Sequence, residues 1–141
     1  MDNLKALTAK RKAAHARLLK LDSRVYKAFV ALERATFRDG ALSRKQKELV
    51  AIGISVVGNC ESCMQWHVEQ AAKAGASFRE VLEAVEVGIE MGGGPATVSA
   101  RFALDVMDSV FGDGKAGRQV TGARGARSGA SKATRPRHAA P

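Results

Sequence analysis

Hydrophobic residues recur along the first 113 positions at intervals of three and four, the spacing that places side chains on one face of an α-helix. One such group is Val25, Tyr26, Phe29, Val30 and Leu32, and another is Val98, Phe102, Leu104, Val106 and Val110. Similar groups lie between them, separated by glycines and polar residues. This pattern predicts a compact all-α fold of about six helices.

Polar residues mark where these helices begin. Ser23 follows Asp22 at the start of the second helix, and both are common N-cap residues. Two further starts carry a serine followed three positions later by Gln or Glu, the pattern of a capping box. The two pairs are Ser43 with Gln46 and Ser77 with Glu80.

Glycines mark the helix ends. The helix that begins near Arg44 is expected to end before Gly58, and the next to run from about Cys60 to Ala74 before Gly75. The sequence GGGPA, residues 92–96, predicts a flexible turn, and Pro95 suits the first position of a separate last helix.

Composition divides the chain into three parts: a basic N-terminal helix over 1–22, a helical domain over 23–113 and a tail over 114–141. The tail carries seven basic residues, no acidic one and almost no large apolar side chain. Such a segment cannot bury enough surface to offset its ordering entropy, so we expect it to be disordered. Its charge suits nonspecific contact with nucleic acid or an acidic surface, but it has no aromatic residue to stack on bases.

The chain shows no apolar run of transmembrane length and no N-terminal signal pattern, so we expect a cytoplasmic protein without membrane contact. In a reducing cytoplasm, two cysteines separated by two residues are more often catalytic or metal-binding than a permanent bridge.

The stretch GNCESCMQWHVEQAAKAG holds both cysteines. If Cys60 opens a helix, Cys63 and His67 follow at one-turn intervals on the same stripe. A helix N-terminus and a nearby imidazole both favour thiolate over thiol. A second cysteine within one turn can then trap an oxidised first cysteine as a disulfide.

Glu48 lies on the apolar stripe of the preceding helix, four residues before Ile52 and eight before Val56. A carboxylate there would be partly desolvated, a state associated with proton transfer. The alternative is a solvated carboxylate paired with Lys45 or Lys47.

The residues also allow a zinc site. Cys60, Cys63 and His67 could supply three ligands, with Glu48 or His15 as a fourth. Structural zinc sites usually join two separated ligand pairs, however, and this chain has a single cysteine pair. Redox chemistry and metal binding both remain open on these residues alone.

One pattern in the chain resembles the active-site signature of the AhpD-like alkylhydroperoxidases, within the carboxymuconolactone decarboxylase superfamily. It consists of Glu48, then eleven residues, Cys60-Glu61-Ser62-Cys63, three residues and His67. The stretch from Glu83 to Ala100, with its glycine-rich turn, is similar to that family as well. The resemblance implies a homo-oligomer, commonly a trimer or hexamer, with the cysteines near a subunit interface.

The resemblance also implies reduction of a hydroperoxide substrate. Cys63 would be the attacking thiolate, Cys60 the resolving thiol, and His67 with Glu48 a proton relay. Several members carry His or Tyr where this chain has Ser62.

No flavin or haem motif is visible, so no cofactor or metal is expected and a dithiol reductant protein must supply the electrons. Two alternatives remain: thiol-disulfide exchange or redox sensing, and lactone decarboxylase-type chemistry, whose enzymes generally lack the cysteine pair.

Overall fold

The computed structural model describes residues 2–112, which form five helices. These are α1 (Asp2–Lys20), α2 (Arg24–Thr36), α3 (Arg44–Val57), α4 (Glu61–Lys73) and α5 (Phe78–Phe111). Residues 2–112 contain no strand, which confirms the predicted all-α fold. The predicted disordered tail, 114–141, lies outside the described residues.

The capping residues begin the helices where the sequence places them. The Ser23 hydroxyl accepts a hydrogen bond from the Tyr26 amide at the start of α2. Ser43 and Gln46 form a complete capping box at α3, in which the Ser43 amide donates to Gln46 Oε1 at 2.8 Å. Both capping boxes are confirmed, since Ser77 and Glu80 make the same pair of bonds at α5.

The GGGPA region differs from its prediction. Instead of a flexible turn between two helices, α5 runs from Phe78 to Phe111 and leaves helical geometry only at Gly93, with φ 65° and ψ −150°. Two helical segments thus meet end to end at the Gly93 kink, and because they form the single element α5 the helices number five rather than six. Pro95 is accommodated because it lies within the first turn after this kink, where backbone N–H groups have no helical partner.

Helices α3, α4 and α5 pack together around the hydrophobic core. Helices α3 and α5 approach each other closely, since a Cβ added to Gly88 would lie 2.8 Å from the Gly53 carbonyl oxygen. The largest fully buried apolar side chains are Ile52, Val56, Met64, Val68, Val81, Val85, Val106 and Met107. No helix within residues 2–112 is both long enough and apolar enough to cross a membrane.

An ion pair also ties α3 to α5. Lys45 Nζ donates to Glu80 Oε1 at 2.7 Å, while the Ser77 amide donates to Glu80 Oε2 at 2.8 Å. The hydrogen bond from Lys45, followed by those from Ser77, lowers the pKa of Glu80 to about 2. This carboxylate therefore stays ionised well below the pH at which an ordinary glutamate is protonated.

Helices α1 and α2 lie at the edge of this core, which α1 contacts through Leu4. No residue of α2 is buried. The connection of α1 to α4 includes polar contacts: the buried Gln65 donates from Nε2 to the Leu4 carbonyl at 3.1 Å and to Thr8 Oγ1 at 2.7 Å. This arrangement leaves a cleft bordered by α1, α2 and one side of α4.

Candidate functional site

The turn between α3 and α4 positions Cys60. Asn59 adopts a left-handed backbone conformation, with φ 48°. Its side-chain oxygen accepts a hydrogen bond from Ser99 Oγ of α5 at 2.9 Å, and the Cys60 amide donates to the Ser55 carbonyl at 3.0 Å. The turn is therefore fixed to both α3 and α5, and this fixes where α4 begins.

Cys60 and Cys63 form a disulfide at the start of α4, with their Cα atoms 5.1 Å apart. Cys60 is the N-cap of the helix, and its sulfur accepts a hydrogen bond from the Cys63 amide at 3.3 Å. The predicted helix start was one residue early, since α4 begins at Glu61. The structure holds the oxidised form of the pair, at a helix N-terminus as its spacing predicted.

Glu48 and His67 are in direct contact across α3 and α4. Glu48 Oε2 lies 2.8 Å from His67 Nδ1, and the Glu48 residue is 1% exposed. Burying a carboxylate is costly unless partners compensate its charge. The alternative of a solvated Glu48 paired with Lys45 or Lys47 is therefore wrong.

Two further residues complete the surroundings of this pair. Arg44 Nε lies 3.5 Å from Glu48 Oε1, and its guanidinium also donates to Gln70 Oε1 at 3.0 Å. The Phe37 ring lies 5.2 Å from the His67 ring, centroid to centroid, with 31° between their planes. The positive charge of Arg44 thus lies near the second oxygen of the Glu48 carboxylate, and the Phe37 ring packs against the imidazole.

Sequence reasoning missed both residues. Arg44 precedes Glu48 by four positions on the same helix, a spacing that could have indicated the contact. Phe37 is the C-cap of α2, outside any helical repeat that faces His67. Nothing local in the sequence indicates that its ring lies against a side chain of α4.

Trp66, next to His67, is held by polar contacts on the outer side of α4. Its Nε1 donates to Glu33 Oε1 at 2.9 Å, and the Arg11 guanidinium lies 4.5 Å from the centroid of the ring. Arg11 also pairs with Glu69 at 3.1 Å. These contacts join α1 and α2 to the face of α4 beside the histidine.

The zinc alternative gains no support from the geometry. Within residues 2–112, no group of three or more His, Cys, Asp and Glu side chains is arranged to hold a metal ion. The two sulfurs are bonded to each other. Glu48 is hydrogen-bonded to the imidazole of His67 and is not placed as a fourth ligand of a metal ion.

Two curated proteins that are similar to this chain are described as uncharacterized. Protein 4 in the cox locus of Paracoccus denitrificans is 39% identical over 85 residues, which cover 60% of this chain and 77% of that protein. A Cupriavidus necator protein is 35% identical over 83 residues, which cover 59% of this chain and 74% of that protein.

Solved structures with the same fold include an apo carboxymuconolactone decarboxylase family protein from Legionella pneumophila. Its TM-score is 0.74 at 30% identity, covering 80% of this chain and all of that one. A Thermotoga maritima member of the family, for which a role in the antioxidative response has been suggested, has a TM-score of 0.67 at 26% identity. That match covers 74% of this chain and 88% of the Thermotoga chain.

The model of the carboxymuconolactone decarboxylase family matches residues 23–105, which begin just before α2 and include the cysteine pair, Glu48 and His67. The matched segment covers more than half of the chain, and the structural neighbours share its helical fold. The resemblance seen in the sequence is thus confirmed, and the chain belongs to the carboxymuconolactone decarboxylase family.

Proposed function

We propose that this chain is a thiol-dependent peroxidase in which Cys60 and Cys63 cycle between dithiol and disulfide. The observation that carries the proposal is the hydrogen bond between the buried Glu48 and His67. His67 lies on α4, the helix that begins at the cysteine pair. A reactive thiol needs a group that takes its proton and returns it to the leaving oxygen. The role suggested for the Thermotoga neighbour agrees with this chemistry.

The Glu48 contact determines which nitrogen of His67 can exchange protons. An ionised carboxylate only accepts hydrogen bonds, so His67 Nδ1 donates to Glu48 and carries the ring proton. The other nitrogen, Nε2, is then free to act as a base. Cys63 lies one helical turn before His67, the spacing at which side chains on a helix meet.

The reaction follows in two steps. His67 takes the thiol proton of Cys63, and the thiolate attacks one oxygen of the hydroperoxide. A sulfur–oxygen bond forms, the oxygen–oxygen bond breaks, and the leaving alkoxide receives the proton and departs as an alcohol. The Cys60 thiol then attacks the sulfenic acid on Cys63, which forms the disulfide and releases water. The two thiols supply both electrons.

Turnover requires a partner. A reductant protein carrying a dithiol would attack the Cys60–Cys63 disulfide and leave with its own cysteines oxidised. Cells keep such reductants active in the cytoplasm, so we place the protein there.

The exposed surface supports the expected homo-oligomer. Large apolar side chains lie exposed on α2, α3 and α5, among them Val25, Ile54 and Met91. Exposed apolar side chains that adjoin one another on a surface commonly mark a protein–protein interface. A sedimentation measurement on the full chain should give a trimer or hexamer, and a monomer across the working concentration range would contradict this part of the proposal.

The test of the peroxidase is anaerobic thiol counting after one equivalent of peroxide. Wild type should lose two thiols. Cys60→Ser should lose one and leave a sulfenic acid that dimedone traps, and Cys63→Ser should react no faster than a free thiol. Serine is a favoured N-cap residue, so Cys60→Ser keeps the helix start intact.

Ser62→Ala is the matched control, because it alters an exposed residue between the cysteines and should react like wild type. Wild-type peroxide consumption by Cys63→Ser would show that the nucleophile is misassigned. Consumption by wild type no faster than by a free thiol, together with rapid exchange with a small disulfide, would identify a thiol-disulfide exchange protein instead.

A further inference from the structure

The cleft between α1, α2 and one side of α4 has a volume of about 1120 Å³, far more than a molecule the size of hydrogen peroxide occupies. Its apolar lining includes Phe29 and Val30 of α2, Phe37 and Trp66. Pockets for organic ligands typically have such walls together with a few polar groups. The cleft therefore suits a molecule with a substantial apolar body.

The charges around the cleft favour an anion. Six Arg and Lys side chains line it, against four Asp and Glu. Two of the acids are already paired, Glu69 with Arg11 and Glu48 with both Arg44 and His67.

Four of the lining cations remain available. Among the side chains that the structure describes, none of the four forms an ion pair. They are Lys12, Arg34, Arg38 and Lys73. Arg34 and Arg38 lie four positions apart near the end of α2 and are both exposed, which gives one edge of the cleft two free guanidinium groups.

The cleft also reaches the proton relay. Glu48 and Phe37 line it, and each contacts His67, one through a hydrogen bond and the other through its ring. His67 and the two cysteines are not among the lining residues, so Glu48 and Phe37 link the cleft to the imidazole.

We propose that this cleft binds an amphipathic hydroperoxide, with a long apolar chain against Phe29, Phe37 and Trp66 and a carboxylate at Arg34 and Arg38. The assignment of this ligand as the substrate rests on the proposed peroxidase function. Binding of the unreactive carboxylic acid does not depend on it, which allows the two ideas to be tested separately.

Trp66 provides the measurement, because it is the only tryptophan of the chain and lines the cleft. Dodecanoate, titrated below its micelle concentration into the full-length protein, should change the Trp66 fluorescence and saturate. Dodecanol, which has the same chain without the charge, should bind more weakly. Added salt should weaken dodecanoate binding and leave dodecanol binding unchanged, because ions screen exposed charges.

The double variant R34Q/R38Q should raise the dissociation constant of dodecanoate about five- to tenfold, given the strength of contacts between exposed charges. The matched control R24Q/R101Q removes two exposed arginines outside the cleft lining and should bind like wild type. With a carboxylate-bearing alkyl hydroperoxide as substrate, R34Q/R38Q should raise KM, while its reaction with hydrogen peroxide should match wild type.

Equal binding of dodecanoate and dodecanol, unaltered by R34Q/R38Q, would overturn the proposal. If neither compound binds at any concentration, the proposal is also overturned. Protection of Trp66 from an aqueous quencher in the assembled protein would then show that a second copy fills the cleft. If dodecanoate binds as expected but no peroxide is reduced, the proposed function fails and the binding site stands.

Discussion

Glu48 Oε2 lies 2.8 Å from Nδ1 of His67, so a buried carboxylate on α3 holds an imidazole on α4, the helix that begins at the cysteine pair. The two residues are separated by 19 positions in the chain, and their contact depends on the packing of α3 against α4. The core that stabilises the fold therefore also positions the pair that we propose as the proton relay.

Replacing Glu48 with glutamine tests this relationship. The substituted amide would keep the size of the side chain and could still accept from Nδ1, but it would no longer stabilise the protonated imidazole. We expect the rate of thiol loss to peroxide to fall at least about tenfold, since acid–base groups commonly contribute about a hundredfold or more. Stopped-flow thiol measurements from about pH 5 to 9, a range that spans the ordinary histidine pKa, would show it.

The control for this variant is Glu86→Gln, at an exposed position of α5 far from the relay in sequence. Equal rates and equal pH profiles for wild type, Glu48→Gln and Glu86→Gln would remove Glu48 from the mechanism while leaving its structural role untouched.

Arg44 is expected to act through Glu48. It is half-exposed, and it bridges the carboxylate and Gln70. Arg44→Gln leaves Glu48 with His67 as its remaining partner, so we expect the free energy of unfolding to fall by about 1–2 kcal/mol. We also expect thiol oxidation by peroxide to slow.

Urea unfolding and thiol counting measure the two effects of Arg44→Gln. Arg101→Gln, on the exposed side of α5, is the control for loss of an arginine. Identical unfolding curves for the two variants would show that the 3.5 Å contact between Arg44 and Glu48 contributes nothing.

Local signals made the helix starts and the cysteine stripe predictable. A capping box such as Ser43 with Gln46 is complete within four residues, and the i, i+3, i+7 spacing of Cys60, Cys63 and His67 depends only on the helix that holds them. Glu48 could also be placed on an apolar face, because the period of its helix was clear.

The partners of Glu48 and His67 were less accessible to sequence reasoning. The ring of Phe37 reaches His67 only because the end of α2 passes over α4, which depends on tertiary packing. The break at Gly93 is also shorter than predicted. Three consecutive glycines suggested a flexible turn, but one of them suffices to redirect the helix. These features depend on how helices meet, which periodicity does not encode.

Gly88 should tolerate no side chain. A Cβ there would lie 2.8 Å from the Gly53 carbonyl oxygen and 3.0 Å from the Val56 side chain, so α3 and α5 would have to separate. We expect Gly88→Ala to destabilise the protein by about 1–3 kcal/mol, the usual cost of overpacking a core. Thermal unfolding would measure it.

Gly94→Ala is the matched control for Gly88→Ala, because an added Cβ at Gly94 meets nothing within 4 Å. It should leave stability unchanged or raise it slightly, since alanine favours helix over glycine by about 1 kcal/mol. Equal stability of the two variants would show that α3 and α5 can separate at no cost.

Glu80 should make stability depend on pH in the acid range. Its pKa falls from 4.5 to about 2 in the folded chain, with the Lys45 hydrogen bond as the largest cause. A carboxyl group whose pKa is lower in the folded state stabilises that state above its unfolded pKa, and the contribution disappears as pH falls through the folded value. Glu80 should therefore contribute fully at neutral pH and progressively less between pH 4.5 and about 2.

The measurement compares the urea unfolding of wild type and Glu80→Gln at about pH 7, 4 and 2.5. The first value lies above the range in which the contribution of Glu80 to stability is lost, and the other two lie within it. The difference in free energy of unfolding between them should be largest at neutral pH and should shrink at each lower pH, because glutamine does not titrate. Glu83→Gln, three residues further along α5 and exposed, serves as the control and should show no such trend. A constant difference between wild type and Glu80→Gln across the three pH values would mean that Lys45 and Ser77 do not hold the Glu80 carboxylate ionised.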